Sequence, residues 1–170
     1  TMEEAEEFYE AYKKALPTLF QWQDRVKAKA RRSGEVHTVF GRPRRLRCYY
    51  KQKRMGFADR TSVNTLVQGA SGDILKIVMC KLWKRLFNHP DYREHVAWRV
   101  AIHDEIGYTI RVTKLLEVLN IIENTQTFRA PQWQIPILTE PSIGWSMGHV
   151  YDFVRVDHED GTYEYKPSLV

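Results

Sequence analysis

Apolar residues recur at helical spacing twice before residue 34. Phe8, Ala11, Tyr12 and Ala15 fall on one face of a helix predicted over Glu3 to Ala15. Thr1 and Glu4, three apart, have the spacing of a capping box at its start. Pro17 opens a second segment in which Leu19, Trp22, Val26 and Ala30 repeat, and Ser33-Gly34 ends it. Val36 to Phe40 alternates and predicts a short strand, with Gly41-Arg42-Pro43 as a turn. Residues 43 to 57 show no period and are expected to be irregular. Val63, Val67, Ile74, Ile77, Val78, Cys80 and Leu82 then supply one face of a long helix to about Leu86, capped by Asp59 or Thr61. Gly69 and Gly72 interrupt it at about 1 kcal/mol each relative to alanine. A glycine tolerated there predicts close approach by another backbone.

After a loop at Asn88 to Asp91 the period changes to two. Trp98, Val100 and Ile102 alternate on one side of His103-Asp104-Glu105, and Ile106, Tyr108, Ile110 and Val112 on the other. This predicts a β-hairpin with an acidic pair at or near its tip. Thr113 is the expected cap of a helix running to about Asn124. Gln134 to Leu138 predicts a strand, residues 142–148 a Gly/Ser/Trp loop, and the chain from about Asp157 a loose polar tail. No internal repeat or linker divides the 170 residues, so the pattern predicts one α+β unit of helices on a small antiparallel sheet.

Composition alters this picture in one respect. With 43% hydrophobic and 28% charged residues, the chain has an ordinary globular make-up. No apolar run approaches the roughly 20 residues that span a bilayer, so no membrane is expected. The acidic start (Glu3, Glu4, Glu6, Glu7) does not fit a signal peptide, and Cys48 and Cys80 form no metal pattern. The expectation is a cytoplasmic protein with reduced thiols. The charge, however, is uneven. Arg25 to Arg60 holds thirteen Lys and Arg against two acids, while the rest of the chain carries 13 Lys and Arg against 19 acids. Such a basic block, with Phe40, Tyr49, Tyr50 and Phe57 interleaved, suits a polyanion better than a free arm.

Two constellations carry chemistry. Arg60, Asn64 and Gln68 recur every four residues and form one polar stripe on the long helix. Such a stripe can be a solvated face. It can also donate to minor-groove acceptors, which both A·T and G·C pairs present, and so test pairing without reading sequence. Asp104-Glu105 can likewise be a solvated turn, or can supply the hard oxygen ligands that Mg²⁺ prefers.

The order of several segments adds a resemblance. Thr38-Val-Phe-Gly-Arg-Pro-Arg-Arg-Leu46 resembles the Thr-x-x-Gly-Arg-x-Arg segment of family A DNA polymerases. Arg60-Thr-Ser-Val-Asn64-Thr-Leu-Val-Gln68-Gly69, continuing to Asp73-Ile74-Leu-Lys76, resembles that family's Arg-x-x-x-Asn-x-x-x-Gln-Gly helix. Val100-Ala-Ile-His103-Asp104-Glu105 resembles its motif C, and Ile135-Pro136 leading to Gly144-Trp145 its closing strand. Leu66 stands where many relatives have proline, and Ser71-Gly72 replaces a common Ala-Ala pair. The glutamate after His-Asp separates the chain from phage single-subunit RNA polymerases, where serine typically follows.

The resemblance implies the C-terminal part of a polymerase palm with the adjoining end of the fingers. Residues 1–58 would form helices and the basic segment, 59–87 the DNA-contacting helix, 96–155 the palm hairpin, helix and closing strand, and 156–170 a tail. It implies deoxynucleotide addition to a primer by two-metal phosphoryl transfer. Asp104 would be a metal ligand and catalytic residue, with Glu105 an auxiliary acid and His103 supporting the primer terminus. Arg42, Arg44 and Arg45 would hold phosphates, with Arg60, Asn64 and Gln68 on the minor groove. The implied partners are primer-template DNA, a deoxynucleoside triphosphate and two Mg²⁺ ions. Nothing in the 170 residues matches the family's motif A aspartate or its nucleotide-binding Lys/Tyr helix. The expectation is therefore a fragment, possible in a phage split polymerase, that is inactive until a complementary N-terminal chain joins it. Bacterial or phage-infected host cytoplasm would be its setting. A non-catalytic duplex-binding module and an unrelated basic structural subunit are the alternatives.

Overall fold

The computed structural model describes residues 1–130 and 133–168. The chain forms two compact units, residues 1–73 and 74–170, and one long helix runs through the boundary. The architecture is α+β, with five α-helices and three small antiparallel sheets among the described residues.

Unit 1 opens with α1 (Met2–Ala15), whose Thr1 and Glu4 form the complete expected capping box. Pro17 then starts α2 (Pro17–Ser33). The helix ends because Gly34 turns left-handed at φ 77°, donating its N–H to the Ala30 carbonyl at 2.8 Å. Two short strands follow, β1 (Glu35–His37) and β2 (Pro43–Arg45), paired antiparallel with Val36 opposite Arg44. The expected strand to Phe40 therefore stops three residues early. The stretch expected to be irregular instead holds β2, a single-turn α3 (Arg47–Lys51) and the start of α4 (Met55–Leu82). Because α4 begins at Met55, Asp59 and Thr61 lie inside it and cap nothing.

The core of unit 1 is small. Val26, Ala30, Val36 and Leu46 form it, with Trp22, Tyr49, Tyr50, Val63 and Leu66 packed around them. Leu66 is thus partly buried against this core. Polar clamps join the pieces. Arg31 grips Asp59 through two hydrogen bonds, one of them 3.0 Å from Nε, and the Tyr50 hydroxyl donates to the same carboxylate at 3.4 Å. The Arg31 guanidinium holds the Asp59 carboxyl below its ordinary range, against the opposing effect of burial. Thr38 donates to Asp73 at 2.6 Å, and Arg42 Nε reaches the other Asp73 oxygen at 2.6 Å.

In unit 2, α4 passes into a π-helical turn, Trp83–Phe87, so the α-helix itself stops at Leu82. β3 (Val96–Ile102) and β4 (Glu105–Ile110) form the expected hairpin, with an irregular register between Trp98 and Val100. A 3₁₀ turn (Val112–Lys114) then leads into α5 (Leu115–Gln126). Thr113 lies within that turn, and Lys114 precedes α5 without a side-chain cap. Val118, Leu119 and Ile122 of α5 are buried, as are Leu82, Leu86 and Val96. An aromatic cluster seats the hairpin on the π turn. Phe87 lies 5.7 Å from Trp98 and 6.5 Å from Tyr108, ring centre to ring centre. The Tyr108 hydroxyl accepts a hydrogen bond from Gln126 at 3.0 Å, and burial raises its pKa.

The end of the chain departs most from expectation. The strand expected at 134–138 is a single bridge between Phe128 and Ile137. The expected loop at 142–148 is instead β5 (Ser142–Ser146) and the turn into β6 (His149–Asp157). The expected loose tail holds β7 (Tyr163–Pro167), paired with β6. Leu169 and Val170 of that tail lie outside the described residues. The sheet is anchored to α5 through side chains. Tyr165 donates to Glu123 at 2.6 Å, and Arg155 bonds Asn120 while its guanidinium lies 4.3 Å from the centre of the Tyr163 ring.

Candidate nucleic-acid interface and catalytic hairpin

The stripe on α4 is present as spacing required. Arg60, Asn64 and Gln68 are all exposed on that helix. Their neighbours Ser62 and Val63 turn inward, and Ser62 is fully buried with its hydroxyl on the Asp59 carbonyl at 2.7 Å. No hydrogen bond or ion pair within the described residues occupies the three polar side chains, so their donors are open to a ligand.

The three arginines of the basic segment separate into two kinds. Arg44 and Arg45 are exposed on β2, and successive strand residues point to opposite faces. Both guanidiniums are open. Arg42 is committed instead. Its Nε bonds Asp73 and its Nη2 bonds the Gly69 carbonyl at 3.0 Å, while its backbone N–H donates to Thr38 at 3.2 Å. This clamp explains Gly69. A Cβ there would lie 2.8 Å from the Thr38 methyl and 3.3 Å from Arg42 Nη2. The close approach comes from side chains rather than from the backbone that the sequence suggested. Gly72 has open space around it. Asp73 is the group that sequence reading missed. It appeared only as part of a motif, although an aspartate on the apolar face of a helix signals a buried partner.

His103, Asp104 and Glu105 occupy the hairpin tip and all are exposed. Ile102 pairs with Glu105, so His103 and Asp104 are the two turn residues and Glu105 begins β4. His103 adopts φ 53°, in the left-handed region where a non-glycine residue is strained. The positive φ falls on the first turn residue alone, a position that two-residue hairpins usually give to glycine. The side chains of Asp104 and Glu105 have no hydrogen-bond or ion-pair partner within the described residues. Two unpaired carboxylates at a hairpin tip, Asp104 on the turn and Glu105 beside it, can bind a hard cation. Among the described residues no three His, Cys, Asp or Glu side chains gather as a complete metal site.

Comparisons with known proteins bear on the family and the fold. The family model described as DNA polymerase family A matches residues 1–149. DNA polymerase I of Streptococcus pneumoniae is 31% identical over 143 residues, 83% of this chain and 16% of the relative. The thermostable DNA polymerase I of Thermus aquaticus is 35% identical over 109 residues, covering 61% and 12%. The chain thus spans about a sixth of the length of the curated relatives it matches. The solved POL domain of Pol1 from M. smegmatis, in complex with DNA primer-template and dNTP, shares the fold at a TM-score of 0.70 and 24% identity. That likeness covers 80% of this chain and 24% of the other. No helix of the described residues is long and apolar enough to cross a membrane. The family match across residues 1–149 decides the matter, and the chain belongs to the family A DNA polymerases.

Proposed function

We propose that this chain is the part of a DNA-directed DNA polymerase that holds the primer-template and supplies one catalytic carboxylate. The observation that carries this reading is the hairpin tip of a family A chain, where Asp104 on the two-residue turn and Glu105 at the start of β4 are exposed and unpaired beside the strained His103. Asp104 would hold Mg²⁺, with Glu105 the auxiliary acid beside it. Their hard, unpaired oxygens fit that ion. Once bound, a pair of such ions stabilises the charge that develops on the attacking and leaving oxygens of phosphoryl transfer. His103, exposed on its turn, would support the primer terminus. Arg60, Asn64 and Gln68 would donate to minor-groove acceptors of any correct pair. Arg44 and Arg45 would hold phosphates, and Arg42 would keep their loop on α4. Two carboxylates are too few for a two-metal site. The motif A aspartate would come from residues outside these 170, in the same polypeptide or a complementary one.

The test is primer extension with Mg²⁺ and dNTPs by the polymerase assembled with a segment bearing Asp-x-Ser-x-x-Glu. Asp104→Ala should abolish extension while leaving duplex binding intact. Extension that survives the substitution refutes the site. Extension by the 170 residues alone refutes the need for outside ligands. The alternative is a non-catalytic duplex-binding module, for which the basic block Arg25 to Arg60 would suffice. That reading requires salt-dependent duplex binding with no extension under any complementation.

A further inference from the structure

Unit 2 contains a second concentration of positive charge that the polymerase reading does not use. From Ile74 onward the chain carries eleven Lys and Arg against twelve acids, so the unit as a whole has no basic excess. Five of those cations nevertheless gather around two adjoining hollows. One hollow, of about 340 Å³, is lined by Lys76, Ile77, Cys80, Lys81 and Lys84 of α4 and the π turn. The other, of about 390 Å³, is lined by Lys81, Arg85 and Arg129 together with Asn124 and Thr127. Lys81 is common to both. All five cations are exposed, and no carboxylate among the described residues pairs with any of them.

Two of the cations are held in place. Arg85 Nη1 donates to the Thr125 hydroxyl at 3.0 Å, and that hydroxyl donates in turn to the Ile121 carbonyl at 2.6 Å. Lys81 Nζ lies 5.5 Å from the centre of the Phe128 ring. Both have an internal contact before any ligand arrives, which lowers the entropy lost on binding. The π turn Trp83–Phe87 carries Lys84 and Arg85, and such turns within α-helices recur at functional sites.

We propose that this face is a second nucleic-acid backbone site, separate from the stripe at Arg60, Asn64 and Gln68. Its chemistry favours phosphodiesters over an acidic peptide. The first hollow lies on α4 and the π turn, and at the second the N–H groups of Thr127 and Phe128 are already bonded to the Glu123 and Ile137 carbonyls, which leaves little backbone for an extended peptide to pair with. The hollows offer a group of cations that no carboxylate pairs with, and the Thr127 hydroxyl beside them, which suits repeated phosphates. Binding here needs neither Mg²⁺ nor a nucleotide, so the proposal stands apart from the catalytic reading.

Cys80, exposed in the first hollow, gives a local readout. In a Cys48→Ser chain it is the single thiol. The measurement is the rate of Cys80 alkylation by N-ethylmaleimide, with and without an oligonucleotide duplex or single strand, in the absence of Mg²⁺ and dNTP. Nucleic acid should slow alkylation at least threefold at low salt, and the protection should fade as salt rises. Lys76 and Lys84 make no hydrogen bond or ion pair within the described residues, so Lys76→Gln with Lys84→Gln leaves the fold intact. That pair should abolish the protection ratio and lower the salt slope of duplex binding by about 2, at roughly 0.9 per phosphate contact. Arg44→Gln with Arg45→Gln should leave the protection at saturating DNA unchanged, as should Asp104→Ala. Unchanged alkylation with DNA, or an unchanged slope in the double variant, overturns the proposal. Polyglutamate that protects Cys80 as well as DNA at equal charge overturns the nucleic-acid assignment in favour of an acidic protein.

Discussion

The two buried acids of unit 1 and the acids of the hairpin tip in unit 2 are placed by opposite rules. Asp59 and Asp73 sit at 8% exposure each, and both are bound to arginines of the basic segment. Asp104 and Glu105 are exposed on a turn with no partner. Each of the two buried carboxylates of unit 1 is a fastener. Asp59 neutralises Arg31 and joins α4 to α2, and Asp73 neutralises Arg42 and joins α4 to the loop before β2. At the hairpin tip a carboxylate is left open, on backbone that is itself strained at His103. Carboxylates kept from any internal partner are the ones available to an external cation. The arginines divide in the same way, with Arg31 and Arg42 fastened and Arg44 and Arg45 open.

Exchanging the two kinds of acid tests this division. Asp104→Ala in the assembled polymerase should cost on the order of 10³-fold or more in primer extension, several kcal/mol at about 1.4 per tenfold. Its urea midpoint should stay within a few tenths of a kcal/mol of the parent, as for an unpartnered surface residue. Asp73→Ala should do the reverse in the isolated chain. It strips the partner from Arg42 and leaves the Thr38 hydroxyl, in a residue 4% exposed, without its acceptor. The expected loss is about 2–3 kcal/mol by urea denaturation. If the two variants lose stability equally, the distinction between fastened and open acids fails.

The sequence made the open site easier to read than the fastened one. Trp98, Val100 and Ile102 alternate towards the tip, and Ile106, Tyr108 and Ile110 away from it, so the hairpin and its acids were legible from period alone. The stripe at Arg60, Asn64 and Gln68 was legible because a helix repeats nearly every four residues. The Arg42–Asp73 clamp joins residues 31 apart, and no local pattern carries that distance. Helix α3 has five residues, too few to show a period. Strand β5 was misread because Ser142, Gly144 and Ser146 weaken the strand signal. Gly144 is needed there, since a Cβ would lie 1.8 Å from the His149 carbonyl oxygen across the sheet. In β7, Tyr163 and Tyr165 do alternate with Glu164 and Lys166, but the acidic residues before them suggested a tail.

Gly69 and Gly72 sharpen the same comparison at lower energy, within one helix. At Gly69 a new methyl meets the Thr38 side chain, whose hydroxyl is tied to Asp73 and cannot swing away. Gly69→Ala should therefore cost about 1–2 kcal/mol net, overpacking exceeding the gain in helix propensity. Gly72→Ala meets nothing and should stabilise by about 0.5–1 kcal/mol. Paired thermal melts decide this, with Tm shifts of opposite sign expected. Two shifts of the same sign would show that the clamp does not reach the helix at Gly69.

The smallest expected effect is the pH dependence of the Arg31–Asp59 fastener. Arg31 holds the folded Asp59 carboxyl below its ordinary value. A depressed carboxylate contributes stability that is complete above the unfolded value, about 4, and is lost as pH falls through the folded one. Arg31→Met removes that contribution. Urea midpoints from pH 7 to 3 should show parent and variant separated by a constant amount down to about pH 5, then converging in more acid solution. The plateau should be below about 1 kcal/mol, because the Arg31 side chain is 50% exposed and screened by solvent. A separation that instead widens on acidification would mean that Asp59 carries a proton in the folded state. The acid would then be fastened by hydrogen bonds alone, and the charge contrast with Asp104 would not hold at this site.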